Sequence, residues 1–177
     1  MSNARNLSKV EVDTNGDIEV GSLGNANDAS ALTTGTLGSA RLPAGSVLQV
    51  VSDVNTNSFS TSSQNVFVTT NQSLSITPSS TSSKILVMFN ANSVTTLAAN
   101  TAITIQVRRS GVVVCFGGYY TATVGGNQSP PFGVIQSLDS PNTTSPVTYE
   151  VFAAEGGVPG TVALNADRIL TLMEIAG

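Results

Sequence analysis

The chain has 177 residues, of which 40% are hydrophobic and only 10% charged, with a net charge of −4, whereas soluble domains average roughly 25% charged residues. With no basic cluster beyond Arg108–Arg109, nucleic-acid binding driven by counterion release is excluded. One cysteine excludes an intrachain disulfide, and the absence of histidine excludes the Ser-His-Asp and Cys-His nucleophile systems and histidine metal sites.

Met1–Asn6 is polar and carries no apolar core of a secretion signal, and no apolar run approaches the ~20 residues of a membrane helix. Synthesis in a cytoplasm, no secretion and no membrane insertion are therefore expected. Residues 1–45 contain no aromatic residue, so the globular core belongs to residues 46–177. Within the first region, Val10–Val20 reads as two alternating segments around an Asn15-Gly16 turn, with Val10, Val12, Ile18 and Val20 on one face. A lone hairpin is marginal in water and needs a partner surface. The spacing of Asp13, Asn15 and Asp17 also matches the opening of a calcium loop. However, Ile18 stands where that loop needs glycine and Gly24 where it needs its final glutamate, so no metal is expected. Leu32, Leu37 and Leu42 follow at a five-residue spacing that fits neither helix nor strand, and three chains wound on one axis would bury them.

From residue 46 the chain breaks into short apolar segments: 46–52, 64–70, 72–77, 84–91, 101–109, 111–117, 131–138, 146–154, 160–164 and 168–175. Turn signals such as Thr77-Pro78, Ser110-Gly111 and Pro141-Asn142 separate them, and Ser, Thr and Asn fill a third of the chain. Many short strands with turns between them predict an antiparallel β-sandwich or barrel. Segments 84–91 and 168–175 are apolar on both faces, which predicts central strands or cover by a neighbouring subunit. Cys115, inside a Val-Val-Val-Cys-Phe run, reads as a buried small hydrophobe.

No phosphate-binding glycine motif is present, so no cofactor is expected. A carboxylate pair is the remaining catalytic device. Asp53, Asp139, Glu150, Glu155, Asp167 and Glu174 are scattered, with no tryptophan to stack a sugar, so no catalytic residue is expected. Glu174 is a candidate partner for Arg168 or for an arginine of a neighbouring subunit, and Arg108–Arg109 read as a solvated face or an interface pair. For ligand binding, the candidates are Tyr119, Tyr120 and Asn127, in the glycine-rich stretch 117–131.

The segment Ala31–Pro43 (ALTTGTLGSARLP) resembles the L-x-x-G-T-L-x-x-A-R-L-P segment that recurs in bacteriophage tail-fibre proteins. Val47–Val51 (VLQVV), Ser75–Ser80 (SITPSS) and Ser83–Val87 (SKILV) resemble the opening of a globular module of phage fibres. Leu138–Ser145 with Tyr149, and the ending Ile169–Gly177, are similar to its later strands, and Asn3–Leu7 also recurs in such proteins. The resemblance implies an all-β homotrimer with a jelly-roll-like head, located in the virion. The expected organisation is an attachment arm with a β-hairpin (1–24), a neck or short shaft (25–45) and a β-sandwich head (46–177). The expected function is that of a short trimeric fibre attaching the virion to the host surface. Its partners are then its own copies, other virion proteins through the arm, and a host glycan or protein. A capsid decoration, cement or head-fibre protein is the alternative, and a small glycan-cleaving tail enzyme the third reading.

Overall fold

A computed structural model describes residues 42–92, 94–96, 101–120, 133–165 and 167–177. The hairpin of the expected arm, the neck as far as Arg41, and Asn127 lie outside the described residues. Among the described residues the chain is all-β and contains no helix. The strands are β1 (Val47–Asn55), β2 (Phe59–Thr61), β3 (Val68–Ile76), β4 (Lys84–Ala91), β5 (Val94–Thr96), β6 (Thr101–Arg109), β7 (Val112–Tyr120), β8 (Ile135–Asp139), β9 (Val147–Gly157), β10 (Val162–Leu164) and β11 (Arg168–Ile175).

Two antiparallel four-stranded sheets, ordered β1-β11-β4-β8 and β3-β9-β6-β7, pack face to face. Consecutive long strands pass repeatedly from one sheet to the other, which gives the strand order of a jelly roll. A third sheet, β2-β10-β5, packs against β6 and β9 and adds Val94, Val162 and Leu164 to the core.

Period-two alternation explains the layers. Ile85, Val87, Phe89 and Ala91 of β4 point inward beside Leu170 and Leu172 of β11. They meet Ile103, Ile105 and Val107 of β6 and Tyr149, Val151 and Ala153 of β9, all fully buried. Cys115 joins this core, as the sequence predicts, and burial pushes its thiol pKa up. At the β7–β8 corner the sandwich closes tightly: a side chain at Gly117 would overlap Ile135 Cγ2. The β6–β7 hairpin turns on Ser110 and Gly111, both at positive φ (50° and 82°), the backbone a two-residue hairpin loop favours.

Segments 84–91 and 168–175 are central strands of their sheet, in line with one of the two expectations for them. The segments expected as separate strands 64–70 and 72–77 are a single strand, β3, carrying a bulge. Register shifts between Thr69 and Gln72, Asn71 adopts φ 57°, and the Thr70 hydroxyl donates to Val151 O at 2.9 Å.

At the end of the sandwich where β1 begins, Gly45 N donates to Ala176 O and Ala176 N to Ser46 O, both at 2.8 Å. The entering chain and the departing chain are thereby tied side by side.

Candidate functional site

Four polar groups lie inside the sandwich, and each has a different environment. At the corner of β6, β8 and β9, Arg109 grips Asp139 with Nε at 2.5 Å from Oδ2 and Nη2 at 3.2 Å from Oδ1, while the buried Tyr149 hydroxyl donates to Oδ2 at 2.8 Å. Register places these residues together: Arg109 pairs with Tyr149 across the β6–β9 ladder, and Asp139 faces inward from the opposite sheet. Burial works to raise the Asp139 pKa, but the hydrogen bonds from Arg109 and Tyr149 and the guanidinium charge outweigh it, leaving it lowered. The Asp139 hydrogen bond raises Arg109, and burial, reinforced by Asp139, raises Tyr149. The cluster is a charge-assisted cross-link between the two sheets.

Glu174 continues the inward face of Leu170 and Leu172 on β11 and is fully buried. It accepts from Ser79 N and Ser79 Oγ, each at 2.7 Å, and from Gln49 Nε2 at 2.6 Å. Burial raises its pKa, yet these donors overcome that and lower it; Ser83 Oγ, buried beside it, adds to the effect without a well-aligned hydrogen bond. Arg168 is not its partner. The expected pairing is replaced by neutral donors because the two residues lie six apart on one strand, at opposite ends of the sheet.

Arg168 is 1% exposed. Its Nη2 donates to Asn57 O at 3.0 Å, while Nε and Nη1 have no partner. Burial lowers its pKa and Asp53 partly restores it. Gln72, equally buried on the bulged strand, donates from Nε2 to Asp53 Oδ2 and to Arg168 O, both at 3.2 Å, and its Oε1 is unpartnered.

Above this pair a polar groove of about 300 Å³ opens between the edge strands β1 and β3. Asp53, Val54, Asn55, Thr56, Asn57, Asn71 and Ser73 line it. The segment after β1 is shaped locally by Asn55, whose Oδ1 accepts from Asn57 N at 3.0 Å.

Glu155 is the fourth group. It extends the inward row of Tyr149, Val151 and Ala153 on β9, is fully covered, and has no hydrogen-bond partner on either carboxylate oxygen. The residue lies toward the C-terminal end of β9, and desolvation raises its pKa.

The outer sheet faces differ in chemistry. On β1-β11-β4-β8, register aligns Val50, Met173, Leu86 and Leu138 as one apolar row across all four strands. Val54 and Ile169 extend it on one side and Ile175 on the other, and Val50, Val54, Leu138 and Ile169 are exposed. On β3-β9-β6-β7, the Arg108 guanidinium stacks over Phe152 at 4.4 Å and Phe67 at 5.2 Å and donates to Gln106 Oε1 at 2.8 Å. The two adjacent arginines thus point to opposite faces, Arg108 outward onto aromatic rings and Arg109 inward to Asp139.

Tyr119 and Tyr120 are the last residues of β7, paired with Ile103 and Ala102 rather than placed in a loop. The sequence reading did not single out the groove, although Asn55-Thr56-Asn57 marks a polar turn between two apolar strands. Among the described residues no group of three or more acidic, Cys or His side chains gathers as a metal site. The acids Asp139, Glu155 and Glu174 sit in separate environments.

No protein-family model matches the chain, and no curated protein matches it. Among solved structures, the chain is similar to the VP2 subviral particle protein of infectious bursal disease virus at 14% identity and a TM-score of 0.38. The match covers 73% of this chain and 37% of that one. A VP2 variant from T=1 particles of the same virus is similar at 13% identity and a TM-score of 0.37, over 73% of this chain and 36% of the other. The chain thus spans little more than a third of these proteins' length.

Proposed function

We propose that this protein is a structural component of a virion, a short trimeric phage fibre whose heads attach the particle to the host surface. The observation that carries the reading is the apolar row Val50–Met173–Leu86–Leu138 across a sheet face on which, among the described residues, Lys84 at one end of β4 is the only charged side chain. Such faces suit burial against a like surface, because interface cores are depleted in charge. A second and third copy are the fitting occupants, since a face with almost no charge presents nothing for a charged partner to complement. Three heads on one axis then bind a surface weakly and gain avidity by linkage. The fold's interior supports a scaffold role: Asp139 and Glu174 are engaged in hydrogen bonds between strands and loops, and Glu155 is fully covered.

The test is absolute mass by light scattering on the full chain, followed by adsorption to bacterial cells and to isolated capsids. A mass of three chains with adsorption to cells supports the fibre. A trimer that binds capsids and ignores cells replaces it with the decoration reading. A monomer removes the basis for both.

A further inference from the structure

We infer that the groove between β1 and β3 is a binding subsite for a neutral saccharide, with Asp53, Asn55, Thr56, Asn57, Asn71 and Ser73 as its hydrogen-bonding wall. The assignment rests on the attachment reading for its purpose and on three observations for its chemistry.

First, the groove holds about 300 Å³, the lower range of small-ligand sites, and six of its seven lining residues are polar, Val54 being the exception. Amide and hydroxyl side chains offer donors and acceptors together, which match the hydroxyls of a sugar; a purely anionic or cationic ligand would need one sign. Second, the charges are balanced across the wall. Asp53 brings one carboxylate to the groove, and Arg168, fully buried directly behind, brings one guanidinium. Neither sign dominates, so a neutral ligand is favoured.

Third, the layer behind the wall is built and incompletely satisfied. Gln72 holds Asp53 through Oδ2, and Arg168 holds the Asn57 carbonyl through Nη2. Yet Arg168 Nε and Nη1 and Gln72 Oε1 have no partner, although both side chains are 1% exposed. Buried polar atoms left this way are costly. Polar side chains behind the groove, instead of apolar ones, hold the Asp53 carboxylate and the Asn57 carbonyl of the wall in place from below, the mark of a wall organised for hydrogen bonding. Asp53 retains its second oxygen, and the Asn71 side chain is exposed and unengaged among the described residues.

Two substitutions disable the wall without disturbing the fold. Asn71 sits at φ 57°, which glycine adopts freely, and Ser73 is exposed on the outer side of β3. The experiment titrates the isotope-labelled full chain with maltotetraose, cellotetraose and chitotetraose, and with sialyllactose as the anionic probe, following backbone and side-chain amides by NMR. The expected result is perturbation by a neutral tetrasaccharide of the Asn55, Asn57 and Asn71 amides. In N71G/S73A, at unchanged melting temperature, binding falls about tenfold or more, the effect of losing two hydrogen bonds.

No contact with any probe overturns the inference, as does binding by sialyllactose alone, perturbation confined to other surfaces, or undiminished affinity in the double variant. Undiminished adsorption of N71G/S73A to cells that bind the unaltered chain leaves attachment standing and removes the groove from it.

Discussion

Glu155→Gln isolates the most anomalous group in the interior. Glu155 is fully covered, and both its oxygens lack partners. Desolvation raises its pKa above the ordinary carboxyl value of 4.5, so over some interval above 4.5 the folded chain holds a proton that the unfolded chain releases. Stability from this group is therefore complete below about pH 4.5 and declines as pH rises, by about 1.4 kcal/mol per unit until the folded-state pKa is passed. Glutamine keeps the shape and removes the titration. The difference in unfolding free energy, variant minus parent, should be near zero or slightly negative at pH 4.5. It should then climb with pH at up to that slope and flatten once the parent ionises in the fold. Urea unfolding across pH 4–8, at fixed protein concentration because an assembling chain gains stability by mass action, measures it. Taking the difference matters, because Asp139 and Glu174 titrate in the opposite sense and cancel only in the comparison. A difference that stays constant between pH 4.5 and 8 would refute the reasoning, since it would mean that Glu155 ionises in the fold as readily as outside it.

Asp139→Asn should cost about 2–4 kcal/mol in urea unfolding, because it removes the charge and replaces one of the two acceptor oxygens by an NH2 donor, leaving Arg109 and the Tyr149 hydroxyl to share a single acceptor. Asp139 has a lowered pKa, so its contribution is present above about pH 3.8 and lost as pH falls through the folded value, and the acid limb of the parent's stability curve should flatten in the variant. Gly117→Val should cost about 1–3 kcal/mol by thermal or urea unfolding, since the added side chain overlaps Ile135, and G117V/I135A should recover part of that loss. Leu86→Glu places a charge in the middle of the outer apolar row, and light scattering should report monomer where the parent is a trimer; a trimer of unchanged affinity would rule that face out as the contact.

Sequence made the long strands legible because inward residues alternate cleanly, as in Ile103-Thr104-Ile105-Gln106-Val107, and tertiary packing obeys the same period. It failed where the ladder is interrupted or too short. The bulge at Thr70–Asn71 adds two residues, whose polar Thr-Asn pair reads as a turn between two strands although the in–out alternation runs on through it, and β2 and β5 are three residues long, too short to show alternation. Glu155 and Glu174 were within reach, because extending Tyr149-Val151-Ala153 and Leu170-Leu172 by one step puts both acids inside. Read one at a time, Glu155 is one of several scattered acids and Glu174 half of an ion pair. The groove was not legible for a different reason. Its walls come from the end of β1 and the middle of β3, which meet only when the two sheets close, and no local pattern encodes that meeting.

The pairing of Gly45 and Ser46 with Ala176 makes the jelly roll a one-ended device. Chain enters and leaves at the same pole, while β1 carries the groove residues toward the other, roughly 25–30 Å away for a nine-residue strand. Residues 43–46 tether the domain at one pole, and the groove lies toward the other. A cargo fused after Gly177 would emerge beside that tether, pressed against Ser82, and needs a flexible spacer to clear it. A cargo inserted at the far pole would instead compete with the groove for the same outward-facing surface.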